Sequence, residues 1–456
     1  MTDTAYHLVG VGGIGMSAIA RLLLARGARV GGSDVKRTPL IDELAAEGVR
    51  VAIGHDSGNV RDAGVVVVSS AIAPDNPELR AAREGSARIV SRGAMLAELA
   101  QDHALVAVAG THGKTTTTAM LATIFETAGL DPTVAVGGVR VDTGTNARAG
   151  GSRWFISESD ESDGSFLALR PTIAVITNVE NDHVTSEDEA ARLRAQFAAF
   201  ANTVTASGRL IAGVDNAACA AIARSTSAPV TTFGLNHGAE ITATDVRFEA
   251  FGASFTVRRD GAVLGEATLN VPGAINVENA LGAIAASLAA GIAFEDAAAG
   301  LAAFHGVRRR FEVVGRGALT VVDDYAHHPT AIAATIAAAR GIVPGRSVVV
   351  AFQPHRYSRT QFLKDDFARA LGTADRVYLA PVYAASEAPI PGVSERSIGA
   401  PLEASGTPVT YVADVDELID VVPRDTPDGA LVLMLGAGSI SSAAHRLGER
   451  VAAAPV

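Results

Sequence analysis

The sequence predicts an α/β protein built from three compact lobes with mainly parallel sheets. Three observations predict it. Short apolar strands alternate with Ala- and Leu-rich helical stretches along nearly all 456 residues, which is the pattern of repeated βα units. Runs such as VVVVSS from Val65 are continuously apolar, as strands buried on both faces are. The opening strand of each lobe leads into a loop rich in Gly, Thr, His or Asp, where ligands gather in such sheets.

The first unit opens with YHLVGVGGIGMSAIARLLLARG, a strand, a glycine-rich turn and an amphipathic helix ending at Gly27. The strands ARVGGSD and VVVVSS follow, and the unit closes near RGAMLAELAQDH. The second unit starts with the strand ALVAVAG and continues through WFISESDESDGSF and the strand TIAVITN. A region rich in Thr, Val and Phe at 240–270 is read as antiparallel strands added to its sheet. A helix from about Asn276 and the turn GVRRRFE close the unit. The third unit runs from ALTVVDDYAHHPT through SVVVAFQPHRYSRT to ALVLMLGAGSI. The boundaries drawn are 1–99, 100–314 and 315–456.

A formal net charge of -11 argues against nucleic acid or an anionic membrane as a general partner. Any phosphate must therefore be held by local devices. A single cysteine, Cys219, precludes an internal disulfide framework and suits a reducing compartment. The opening residues carry an Asp and no basic segment, so no signal peptide is expected. The longest apolar run, from Ala280, stops at Glu295, too short for a membrane span. A cytoplasmic protein without stable membrane insertion is expected. Lysine occurs only at Lys36, Lys114 and Lys364, so the lysine inside the loop after ALVAVAG stands out.

GVGGIG at 10–15 follows a strand and opens a helix, and Asp34 ends the next strand about 20 residues later. Backbone N–H groups at such a helix start hold a diphosphate, since no side chain blocks the approach. The motif alone does not separate NAD from a UDP-sugar. GTHGKTTTT at 110–118 is a shortened phosphate loop: Gly110 and Gly113 let the backbone wrap an anion, Lys114 reaches β/γ-phosphates, and Thr115 stands where a Mg²⁺-binding hydroxyl belongs. Four successive threonines are poor helix formers, which favours hydroxyl chemistry over propensity. ESDESDGSF at 158–166 and NVENDH at 178–183 end neighbouring strands and should flank that loop, with a carboxylate of the former placed for Mg²⁺. In DDYAHHPT, Pro329 starts a helix. The adjacent His327 and His328 lack a companion ligand spacing for a metal site of their own. Arg356 and Arg359 of FQPHRYSRT suit a carboxylate clamp.

Taken in order with VPGAINVENA, GVRRRFE and GAGSI, these motifs resemble the Mur ligases of peptidoglycan synthesis over essentially the whole chain. The resemblance implies the three-domain Mur ligase architecture: a Rossmann-like N-terminal domain for a UDP-sugar, a central P-loop-type ATPase domain, and a Rossmann-like C-terminal domain that brings the amino acid. It implies ATP and Mg²⁺, with Mn²⁺ as the alternative ion, and a reaction joining L-alanine to UDP-N-acetylmuramate. A branch that attaches a whole tripeptide to the same sugar nucleotide is the alternative. By the same resemblance, ATP is met by Gly110, Thr111, His112, Gly113, Lys114, Thr115, Thr116, Asn276, Asn279 and Arg310, and the metal by Thr115, Glu158 and His183. Gly10, Gly12, Gly13, Ile14, Gly15, Met16, Ser17, Asp34 and Ser70 are implied for the UDP-sugar. Tyr325, His327, Arg356 and Arg359 are implied for the amino acid. Lys114, Glu158, His183, Arg310 and His327 carry the catalytic expectation, in a monomer or weak homodimer. After His183 the run VTSEDE departs from the family's habit of an acidic residue with a nearby Tyr. No lysine lies between Lys114 and Lys364, so a carbamylated-lysine metal bridge, used by ligases that add later residues, is unavailable.

Overall fold

Valine and isoleucine crowd the central strands, because their branched side chains pack well on a pleated surface covered on both sides. Three sheets result in a computed structural model that describes residues 4–161, 164–180, 187–236, 238–249, 251–385 and 387–453. The first has five parallel strands, in spatial order Arg50–Ile53, Arg29–Asp34, Ala5–Val9, Val65–Val68 and Arg88–Ser91. Chain order reverses beside Ala5–Val9, and the glycine turn leaves that strand's carboxyl end at this reversal, where open α/β sheets bind ligands.

The second sheet has ten strands. Ala104–Ala109 pairs in parallel with Ile173–Ile176 on one side and Trp154–Glu158 on the other. The phosphate loop and the described starts of the acidic and NVENDH segments, 159–161 and 178–180, therefore emerge side by side, as expected. Ile241–Glu249, Gly252–Arg259 and Ala262–Leu269 form the anticipated antiparallel extension. Met120, Ile124 and Phe125 of the helix Lys114–Thr127 join the core beneath this sheet with Leu281 and Ile284 of the helix Ala274–Ala289. That packing fixes the start of the first helix against the site.

The third sheet has six strands, parallel except for Glu312–Arg316, which runs antiparallel to Thr320–Asp324. It begins at Glu312, slightly ahead of the boundary drawn at 314/315, because that short strand completes the edge of the third sheet. Thr320–Asp324 and Val348–Phe352 flank Leu431–Leu435, which sets the DDYAHHPT and FQPHRYSRT loops on one edge. No helix among the described residues is long and apolar enough to cross a membrane.

Polar contacts tie the lobes together. Asn146 donates to Ile14 O at 2.6 Å and to Ser17 Oγ at 3.0 Å, and Arg92 donates to Asp160 at 3.1 Å. Arg308 N donates to Val139 O at 2.9 Å where the chain passes from the second lobe to the third.

Candidate active site

The phosphate loop owes its shape to two glycines. Gly110 has φ +136° and Gly113 φ +83°, conformations a side chain resists. A methyl group on Gly113 would also strike Asn279 Oδ1, and one on Gly110 would strike Thr177 Oγ1. The neighbouring strand end pins the loop: His112 N donates to Asn178 Oδ1 at 2.8 Å, Asn178 Nδ2 to His112 O at 3.1 Å, and Glu180 N to Thr111 Oγ1 at 2.8 Å. Lys114 and Thr115 begin the helix Lys114–Thr127, so its unpaired N–H groups face the same space as the lysine.

Lys114 Nζ donates to Gly110 O, to Thr111 O at 3.3 Å, and to Glu161 Oε1 and Oε2 at 3.1 and 3.0 Å. Burial disfavours its charge, but Glu161, Glu158 and Asp160 outweigh burial and raise its pKa above the ordinary lysine value. The loop holds a fixed cation. Glu158 ends its strand and accepts from Gly137 N at 2.8 Å. Thr115 and Glu158 line the same cavity, and their hard oxygen donors fit Mg²⁺. His183, expected beside them, lies outside the described residues.

The turn from the second lobe to the third is strained. Arg309 and Phe311 sit at φ 62° and 51°, which costs on the order of 1–3 kcal/mol each. Asp324 holds the turn in place: its Oδ2 accepts from Phe311 N and its Oδ1 from Ala326 N, each at 2.7 Å. Burial pushes the Asp324 carboxyl up to about 6, against the pull of Arg310 and these two N–H groups. The turn aims Arg310 back at the phosphate loop, where Nη2 reaches Thr115 Oγ1 at 3.4 Å. Arg309 and Arg310 both lie over the Tyr325 ring, at 4.8 and 5.1 Å from its centre.

A cavity of about 760 Å³ joins these parts. Ile14, Gly15 and Arg92 line it from the first lobe, the phosphate loop with Glu158, Asn276 and Asn279 from the second, and Tyr325, His327 and His328 from the third. Asn279 Nδ2 donates to Asn276 Oδ1 at 3.3 Å, and Asn276 Nδ2 to Pro272 O at 2.7 Å, so the amides are ordered at the cavity wall.

Three family models match along the chain: the Mur ligase family, catalytic domain at residues 5–104, the Mur ligase middle domain at 108–287, and the Mur ligase, glutamate ligase domain at 309–438. The UDP-N-acetylmuramate–L-alanine ligase of Geotalea daltonii is 45% identical over 451 residues, covering 98% of each chain. That of Burkholderia cenocepacia is 44% identical over 454 residues, covering 98% of this chain and 97% of its own. The chain belongs to the Mur ligase family. Among solved Mur ligases, the UDP-N-acetylmuramate–alanine ligase MurC of Thermotoga maritima superposes with a TM-score of 0.85 at 29% identity, covering 98% of each chain. The murein peptide ligase of Psychrobacter arcticus superposes at 0.73 with 25% identity, covering 99% of this chain and all of its own.

Within this Mur ligase, some expected residues stand apart from the cavity. Met16 is buried in the core, and Ser17 Oγ donates to Ile14 O at 2.9 Å and accepts from Asn146. Both side chains face inward from the helix, and the Ser17 N–H donates to Gly13 O at 2.8 Å. Asp34 accepts from Gly12 N at 3.0 Å, bracing the turn itself. Gly10, Gly12, Gly13 and Ser70 do not line the cavity, and neither do Arg356 and Arg359. Arg359 is buried beside His355, whose ring lies 5.9 Å from that of His327. Arg359 thus backs the His327 wall instead of facing the cavity directly, and Arg356 is exposed at the start of its helix.

His328 has companions that spacing did not reveal. Its ring lies 5.4 Å from His112, and with Glu180 the three offer ligand atoms all within 4.8 Å of one another. The fold brings these residues together from three separate loops, which no local spacing displays. Glu161, Asp324, Arg92 and Asp160 were likewise not singled out from sequence, although each fixes a cation or a turn of the site.

Proposed function

We infer that this Mur ligase joins L-alanine to the lactoyl carboxylate of UDP-N-acetylmuramate, consuming ATP and giving UDP-N-acetylmuramoyl-L-alanine, ADP and phosphate for peptidoglycan synthesis. One observation carries the reading: a glycine-wrapped lysine, an acidic strand end and an arginine from the next lobe converge on one cavity. Relatives at 44–45% identity over nearly the whole chain are named for that reaction.

A carboxylate resists attack by an amine, because its charge repels the nucleophile and oxide is a poor leaving group. Phosphorylation by ATP converts it to an acyl phosphate, whose carbonyl carbon then accepts the amine and expels phosphate. The protein's part is positioning and charge neutralisation. Lys114 sits where it would hold the β- and γ-phosphate oxygens, and helix N–H groups from Thr115 onward would face the same anion. Arg310, held by the Asp324-braced turn, would approach from the other side. Thr115 and Glu158 would hold Mg²⁺, with His183 proposed as the further ligand. The bound ion supplies neutralisation of charge on the transferring group. Asn276 and Asn279 would face the adenine. The glycine turn of the first lobe would hold the UDP diphosphate. Tyr325 and His327 would meet the alanine, with Arg359 behind them.

A reaction that consumes ATP suits the cytoplasm. Comparing L-alanine with a tripeptide as amine substrate tests the assignment. Alanine should support phosphate release at a far higher kcat/KM; preferential use of the tripeptide would overturn it.

A further inference from the structure

Five lysine and arginine side chains line the cavity, and four of them, Lys114 and Arg308 to Arg310, belong to the phosphate loop or the strained turn. The fifth, Arg92, comes from the first lobe. It starts the helix Arg92–Ala100, directly after the edge strand Arg88–Ser91. A methyl group added to Gly15 would lie 3.1 Å from Arg92 Nη1 and 3.2 Å from its Cδ. The arginine therefore covers the first turn of the helix that the glycine-rich turn opens. Its Nη2 donates to Asp160 Oδ2 at 3.1 Å across the lobe boundary.

We propose that Arg92 binds the diphosphate of the sugar nucleotide, and that Asp160 holds the guanidinium in place until that ligand arrives. The proposal rests on the ligase reading above and deepens it. Asp160 and Glu161 are consecutive, and each pairs with a cation that faces the cavity, Arg92 and Lys114 respectively. A guanidinium matches phosphate oxygens through paired N–H bonds at least as well as it matches a carboxylate. The pair is partly hydrated, with 18% of the Arg92 side chain and 37% of the Asp160 side chain exposed, so exchange of one anion for another faces a modest barrier. In a chain of net charge -11, a diphosphate needs such a local cation beside the partial charge of a helix start. Gly15 suits the same arrangement, since a methyl group there would press on the Arg92 side chain at 3.1–3.2 Å.

Calorimetric titration without ATP tests the assignment. UDP-N-acetylmuramate and UDP-N-acetylglucosamine share the diphosphate, and the latter lacks the lactoyl carboxylate. R92A should weaken both by about ten- to a hundredfold while the KM for ATP stays put. D160N, which breaks the same contact, should bind both at least as tightly as the wild type. Unchanged affinities in R92A would overturn the proposal, and so would a loss confined to UDP-N-acetylmuramate, which would assign Arg92 to the carboxylate. Equal weakening by D160N would reduce the pair to a lobe contact. Wild-type protein that releases no phosphate from ATP with both substrates would sink the ligase reading itself, whatever R92A does.

Discussion

Lys114 Nζ and Glu161 Oε2 lie 3.0 Å apart, so the ammonium group that would grip a terminal phosphate is held by a carboxylate of the acidic loop. Each side chain is 14% exposed, and an ion pair this sheltered is weakly screened by salt. The contact keeps the lysine charged and aimed without a ligand, and it must open when a triphosphate enters. Affinity for ATP is therefore a difference between two ion pairs.

Replacing that carboxylate changes the balance in a measurable way. E161Q should lower the stability of the nucleotide-free protein by about 1–3 kcal/mol, because a buried charge loses its partner. The same variant should show a larger rise in Tm on adding ATP, and a lower apparent KM for ATP. Thermal melts with and without nucleotide check both. A variant as stable as the wild type, with an unchanged response to ATP, would contradict the exchange.

Asp324 imposes a pH dependence of its own. Its folded pKa, pushed up to about 6, exceeds the 3.8 of a free aspartate. Between those values the folded protein binds a proton that the unfolded chain has released. The contribution of this group to stability is therefore full below about pH 4 and declines as pH rises through about 6. The total change is on the order of 3 kcal/mol. D324N does not titrate, so its stability relative to the wild type should climb by that amount between about pH 4 and pH 7. Denaturant melts across this range check it, and parallel curves for the two proteins would refute the assignment.

Much of the architecture was legible because it follows from periodicity. Alternating apolar strands and Ala-rich helices define three mainly parallel sheets, and the strand-end rule sets the phosphate loop beside the starts of the ESDESD and NVENDH segments. What failed was the choice among like residues. Asp323 and Asp324 look equivalent as neighbours, yet the strand turns Asp323 toward Ser441 and Asp324 toward the Phe311 amide. The two-residue period of a strand could have separated them. Composition marked the acidic loop without saying that Glu158 would face Gly137 while Glu161 took the lysine. Arg92 reads as an ordinary residue at a helix start, because its meaning depends on Asp160, 68 positions away. Met16 and Ser17 were assigned with their motif, although the helix turns both side chains away from the cavity. Long-range pairing and helix rotation decide these cases, and neither is written locally.

The most direct test follows the oxygen atoms. UDP-N-acetylmuramate carrying ¹⁸O in its lactoyl carboxylate is turned over with ATP and L-alanine, and the released phosphate is analysed by mass. If the carboxylate attacks the γ-phosphorus and the amine then expels phosphate from the acyl carbon, one labelled oxygen passes into each phosphate. Phosphate free of ¹⁸O, with amide still formed, would contradict activation through an acyl phosphate in this cavity.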